Sequence, residues 1–276
     1  MKYLKIFILA FMLASLFFLE GNCAEKETVT LPIVMYHHIS NDPSKWNKYV
    51  ISIEEFRADM EYLYSKGFES INFSQLLAWQ KGEFDMPEKP FMISFDDGFT
   101  STAAYAEPIM KELGFNGIAA IIGSVCDEFS QNGENDAELS SLSWEEAVKM
   151  AERGTIELQC HTWNLHKNTN PIGCSKRKGE SSEEYRYRIS SDLSKFLSGC
   201  RENGVEVAMS IAYPFGAYNE EISDIVMDMG FLGAFTCTEE INVLTGEPKE
   251  LYYLGRFNRP HGISSENFFK KWENNY

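Results

Sequence analysis

Cysteine is sparse in this chain, six in 276 residues. Cys126, Cys160, Cys174, Cys200 and Cys237 are scattered and match no zinc knuckle. Basic residues are also short, 25 Lys and Arg against 41 Asp and Glu, for a net charge of −16. Such an acidic surface disfavours nucleic acid and anionic envelope polymers as partners. Repeats, low-complexity tracts and linkers are missing, so nothing in the sequence calls for a second domain. One unbroken apolar run exists, Ile6 to Leu19, and it is short for a membrane span.

That run has the layout of an export signal. Lys2 and Lys5 precede it, and Asn22-Cys23-Ala24 offers a small-residue site for cleavage after Ala24. Residues 1–24 therefore read as a signal peptide or N-terminal anchor, and the protein as exported: secreted, or attached through its N-terminus to the outer face of the cell membrane. Leu19-Glu20-Gly21-Asn22 is poor chemistry for lipid attachment at Cys23. Five cysteines survive such a cleavage, so at least one is free or paired between molecules. Cys160 adjoins a histidine, but neighbours on a strand face opposite ways, which turns Cys160 into the packed layer.

From Pro32 onward, strand and helix signals alternate, which argues a parallel sheet. Pro32 to Tyr36 reads as a strand ending in His37-His38. Ser52 and Glu55 form a capping box for a helix to Lys66, and Ser143 and Glu146 form another, closed by Gly154. Further strands are expected at 70–71, from Pro90, at 118–123, 155–158, 207–211, 232–237 and 251–257. Helices are expected over 74–80, 102–113, 182–203 and 220–229, with a last one capped at Ser265. Residues 126–141 and 168–181 have loop composition, and Lys176-Arg177-Lys178 in the second reads as a solvated face.

Chemistry concentrates at the ends of these strands. The apolar run Pro90-Phe91-Met92-Ile93 leads into Ser94-Phe95-Asp96-Asp97-Gly98. Adjacent carboxylates at the end of a core strand repel each other and resist desolvation. A metal ion, or a division of labour between acid and base, resolves that conflict. After the next strand but one comes His161-Thr162-Trp163-Asn164-Leu165-His166. One carboxylate and two imidazoles make a three-ligand catalytic zinc site with an open position. The histidines are five apart, so a loop rather than a helix face must bring them together. In βα barrels, chemistry collects at the C-terminal ends of strands, where His37, Asp96, Asp97, His161 and Pro214-Phe215-Gly216 all fall.

The Ser94–Gly98 motif followed by His161…His166 resembles the polysaccharide deacetylases (carbohydrate esterase family four, the NodB-homology domain). The longer histidine spacing looks like the branch acting on poly-N-acetylglucosamine. The resemblance covers roughly residues 30–270 and implies that residues 25–276 are the catalytic domain. It implies an α/β fold, a distorted (β/α) barrel with about seven parallel strands. It also implies one divalent metal ion, zinc first with cobalt or nickel as alternatives, held by Asp97, His161 and His166. Asp96 is then the general base that takes a proton from the attacking water. The Phe215 backbone N–H faces the oxyanion, and Pro214 fixes the approach to it. Tyr213, Pro214 and Trp163 are expected on the substrate side.

Two departures from the family pattern stand out. The Arg that pairs with the base in the third motif is replaced by Ala212, and Arg256 near the last expected strand end is the candidate substitute; a structural ion pair is the equal alternative. The late Leu-x-His motif of the general acid is absent. His37 fills that role in the branch lacking the motif, ahead of His261, while His38 alternates away. The implied partner is a glycan containing N-acetylglucosamine, which an acidic surface tolerates. Three functions fit: an N-deacetylase of a surface or extracellular glycan, an O-acetyl esterase on xylan-like polymers, and an inactive carbohydrate-binding protein.

Overall fold

The computed structural model describes residues 28–133 and 136–275. The expected export signal at 1–24 lies outside the described residues. The order is β1 (Val29–Leu31), β2 (Ile33–Tyr36), β3 (His38–Ile39), β4 (Val50–Ile51), α1 (Ile53–Ser65), β5 (Glu69–Ser70), α2 (Phe73–Gln80), β6 (Pro90–Phe95) and α3 (Glu107–Glu112). It continues with β7 (Gly117–Ile121), α4 (Gly123–Asn132), α5 (Trp144–Arg153), β8 (Ile156–Cys160), α6 (Ser182–Glu202), β9 (Ser210–Ala212) and α7 (Ile222–Asp228). β10 (Gly233–Phe235), β11 (Asn242–Leu244), β12 (Phe257–Asn258) and α8 (Ser265–Glu273) complete it. The capping boxes of α1 and α5 form as expected.

The central sheet is parallel, in the order β10-β9-β8-β7-β6-β2-β12, with β5 also paired to β6. Period two along the strands builds two cores. Val34, Tyr36, Phe91, Ile93, Phe95, Ala119, Ile121, Leu158 and Ile211 join the core under the helices. Their neighbours Ile33, Met92, Ile118, Ala120, Ala212 and Phe235 form a separate inner core with Leu254. A sheet whose second face packs on itself is curled, and this is the expected distorted (β/α) barrel. β1 and β11 form an antiparallel pair at its lower end, adding Val29, Leu31 and Leu244 to the inner core.

The expected last strand at 251–257 is divided. Pro248–Tyr252 is a 3-10 turn. Beyond it, Leu254 N–H donates to Ala234 O (2.9 Å) and Arg256 N–H to Thr238 O (2.9 Å), on the β10 side. Then β12 pairs with β2, and Arg259 N–H donates to Met35 O (3.0 Å). One segment thus bridges the two edges of the sheet. Two other expectations shift. The strand placed at 207–211 is Ser210–Ala212. The helix from Thr102 begins as a π-turn over Thr102–Ala106.

The 126–141 stretch read as loop is half helix, α4. No side chain caps its start, and only Gly123 and Cys126 are buried in it. Its position is set by Trp163, whose ring lies 2.4 Å from where a Cβ on Gly123 would sit. All five cysteines in the described residues are free, and Cys160 joins the core under the helices. No helix among the described residues is long and apolar enough to cross a membrane.

Candidate active site

Following the inner register upward leads from apolar to polar. Above Met92 come Ser94 and Asp96; above Ile33, Met35 and His37; above Leu254, Arg256. Next to Ala212, Ser210 donates its hydroxyl to Gln159 Oε1 (2.7 Å), two residues below His161. The strand-end residues singled out from sequence therefore converge on one rim because they continue the inward-facing parity.

Asp97 Oδ1 lies 3.3 Å from His161 Nε2 and 3.1 Å from His166 Nε2. His161 meets the Ala212 carbonyl through Nδ1 at 2.8 Å. With its Nδ1–H donated there, a neutral His161 turns an Nε2 lone pair toward Asp97. Asp97 Oδ1 is buried and has no hydrogen-bond partner. A carboxylate oxygen facing a lone pair at this distance needs a cation between them. Atoms bound tetrahedrally at zinc distances sit about 3.3 Å apart, so these three side chains fit a divalent ion. They are the group among the described residues able to hold one.

Asp96 lies beside that group but is held by a different partner. Arg256 grips it with two bonds, Nη1 to Oδ1 at 2.6 Å and Nη2 to Oδ2 at 2.9 Å. Asp96 is 3% exposed and Arg256 0%. The guanidinium also donates through Nε to Thr236 O (2.9 Å) and through Nη1 to Ser94 Oγ (3.4 Å). Burial pushes the Asp96 carboxyl up; Arg256, with His161, prevails and keeps it below the ordinary range. Cys237 borders this pair, its Sγ 4.0 Å from Arg256 Nη2 and against Gly216, where a Cβ would come within 2.7 Å of its own.

His37 is half-buried beside both carboxylates. Burial pushes its imidazole below its usual pKa, against the pull of Asp96 and Asp97. Its Nδ1 has no partner, and its ring packs on Tyr49 with centroids 4.9 Å apart. His261 is engaged elsewhere. Its Nδ1 meets Glu55 Oε2 at 2.6 Å and its ring lies 4.9 Å from Trp46. His38 bonds Ser101 Oγ (2.9 Å) on the outer side.

Asp97, Thr162 and Phe215, with φ of 71°, 71° and 59°, are the non-glycine residues held in left-handed backbone among those described. All three lie at this rim, where such strain, at about 1–3 kcal/mol each, marks a built site. The Phe215 ring is 44% exposed and stacks on His166 at 4.3 Å.

Three residues expected on the substrate side do not present side chains there. Tyr213 is 0% exposed and packs on Tyr218 at 5.1 Å. Pro214 is buried at the start of the turn. Trp163 is buried between Trp144, Gly123 and Gly199, with Lys195 Nζ 4.4 Å from its ring. Its role is to seat the histidine loop: Asp192 accepts from Trp163 N–H (2.7 Å) and Asn164 N–H (2.9 Å). Sequence gave no sign of Asp192, a mid-helix residue of α6.

A strap joins the two halves of the rim. Beyond His166, the chain returns through Gly173, whose N–H donates to Lys167 O (3.2 Å), and Cys174, whose N–H donates to Ala217 O (2.9 Å). Gly173 has φ of +52°, and a Cβ there would stand 2.4 Å from Pro214 O. Only glycine lets the strap lie this close to the Pro214–Gly216 turn.

A family model described as "Polysaccharide deacetylase" matches residues 84–234, from before Asp96 to beyond Phe215. The chain is 24% identical over 222 residues to a poly-β-1,6-N-acetyl-D-glucosamine N-deacetylase of Escherichia coli, covering 72% of this chain but 33% of that protein. It thus spans about a third of that relative. A Staphylococcus aureus protein of the same description is 24% identical over 226 residues, covering 82% of this chain and 72% of the relative. The solved de-N-acetylase of Aggregatibacter actinomycetemcomitans superposes with a TM-score of 0.73 at 21% identity, covering 89% of this chain and 99% of the other, a likeness of fold. With more than half of its length matched by the family model, the chain belongs to the polysaccharide deacetylase family.

Proposed function

We propose that the protein is a metal-dependent hydrolase that removes N-acetyl groups from N-acetylglucosamine units of a cell-surface or extracellular polysaccharide. The observation that carries this is the division of the two adjacent carboxylates. Asp97 faces two imidazoles, while Asp96 is locked in an arginine fork. Asp97, His161 and His166 would hold a divalent ion, zinc first with cobalt or nickel as alternatives, which would supply Lewis acidity at the reacting carbonyl and water. Asp96, kept ionised by Arg256, takes the proton of the attacking water. The Phe215 N–H donates to the developing oxyanion. His37 returns a proton to the leaving amine. The proton it gives is taken up from solvent, and its Nδ1, without a partner in the protein, is free to meet the leaving amine.

The two relatives described as poly-β-1,6-N-acetylglucosamine N-deacetylases support that class of substrate. The export signal read in residues 1–24 supports an extracellular site of action. The test is acetate release by the zinc-loaded protein from poly-β-1,6-N-acetylglucosamine, chitooligosaccharides, peptidoglycan and acetylated xylan, side by side. Release from the amino-sugar polymers, stopped by a chelator and restored by zinc, is expected. Release from xylan alone would make it an O-acetyl esterase, and release from none would overturn the reading.

A further inference from the structure

We infer that Tyr49 is a substrate-contacting residue: its exposed ring, held over His37, is the wall on which the pyranose carrying the scissile acetamide stacks. This rests on the glycan reading above. Two of the exposed large hydrophobic side chains stand on an imidazole of the site, Phe215 on His166 (4.3 Å) and Tyr49 on His37 (4.9 Å). In the sheet, β6 with its two carboxylates lies between β2, which leads to His37, and β8, which leads to the His161–His166 loop. The two rings therefore flank Asp96 and Asp97 from opposite sides. An apolar ring 44% exposed at a polar rim is a surface for the C–H face of a sugar.

The backbone under Tyr49 is fixed, so the ring is pre-placed. Its N–H donates to Asn47 Oδ1 (2.8 Å) and its carbonyl accepts from His38 N–H (3.1 Å). Next to it, Lys48 O accepts from Asn258 Nδ2 (2.8 Å) and Asn47 O from His261 N–H (3.1 Å). The segment is thus pinned to β3 and to the chain around β12. Lys48 Nζ lies 4.6 Å from the ring centroid, on an exposed flexible stem. A sugar arriving there displaces a weak surface contact rather than a packed side chain. A ring held in advance costs little ordering on binding.

The test compares Tyr49→Ala, Tyr49→Phe and wild type, all zinc-loaded. It uses acetate release from poly-β-1,6-N-acetylglucosamine oligomers, with a small aryl acetate as the substrate that engages no sugar wall. In Tyr49→Ala the KM for the oligomer should rise, and the ratio of kcat/KM on oligomer to that on aryl acetate should fall, by roughly five- to tenfold. Tyr49→Phe should recover the wild-type KM. A KM within twofold of wild type in Tyr49→Ala overturns the proposal. So does an equal kcat loss on both substrates with KM unmoved, which would make Tyr49 only a prop for His37. Wild-type protein that releases no acetate overturns the deacetylase reading instead. Calorimetric oligomer binding to Asp96→Asn, with and without Tyr49→Ala, then decides Tyr49: weaker binding sustains the proposal and equal binding overturns it.

Discussion

Two neighbouring aspartates with opposite environments are the centre of the account. Their difference follows from strand parity. Asp96 continues the inward face of β6 and meets Arg256; Asp97 takes a left-handed backbone, φ 71°, that turns its carboxylate to the histidines. Arg256 does more than neutralise Asp96, because its planar fork fixes both oxygens. Arg256→Lys should keep the charge and lose the fork. Metal content should stay at wild type while kcat falls at least about tenfold. Wild-type turnover in that variant would remove Arg256 from the positioning of the base. The carboxylates and histidines were legible in the sequence because their chemistry has no cheap alternative at a strand end. Arg256 was legible only as one of two readings, since the ladder that turns it inward forms with residues far off in sequence. Trp163 and Tyr213 were misread. An aromatic beside a site motif can face sugar or core, and Gly123 and Gly199, remote in sequence, decide for the core at Trp163.

Loops do the joining between elements, and two of them make testable contributions. The strap at 167–174 connects a candidate metal ligand to the turn bearing Phe215. Gly173→Ala places a Cβ on the Pro214 carbonyl. A turn displaced by about 1 Å should cost kcat on the order of 100-fold with KM little changed and metal retained; unaltered turnover would mean that the turn holds itself. On the other side, Glu138 ties the 136–142 loop to the segment after β3. It accepts from the Ser40 hydroxyl, from Asn41 N–H (2.9 Å) and from Tyr105 Oη (3.0 Å), with Lys45 Nζ at 3.4 Å. Burial would raise its pKa, but these donors bring it down to about 2. A depressed carboxylate stabilises the fold fully above its unfolded value, about 4.3, and the contribution fades as pH falls toward 2. The stability gap between wild type and Glu138→Gln in urea should be level above about pH 5 and shrink below about 4; a gap that widens on acidification contradicts this. The helices with capping boxes were readable because the signal is local. α4 was not, because it lacks a side-chain cap, and a tertiary contact with Trp163 seats it.

At the scale of the whole molecule, one sheet curled on itself supplies both stability and the site. Its inner layer is apolar below and charged at the rim, and the same period of two makes both. The segment from Leu254 to Arg259 bonds first to the β10 side and then to β2, and this change of partner carries Arg256 to Asp96. The alternation of strand and helix announced the parallel sheet, and the family resemblance implied the barrel; the way its edges are bridged depends on a ladder of a few residues that follows a 3-10 turn, which no local pattern reveals. The central claim is that the barrel gives one carboxylate to the metal and the other to the proton. Elemental analysis of the zinc-loaded protein beside Asp96→Asn and Asp97→Asn tests it most directly. About one zinc per chain is predicted in wild type and in Asp96→Asn, with acetate release lost by roughly 100-fold or more in the latter, and no zinc in Asp97→Asn. Zinc retained in Asp97→Asn, or lost equally from both variants, would contradict the division.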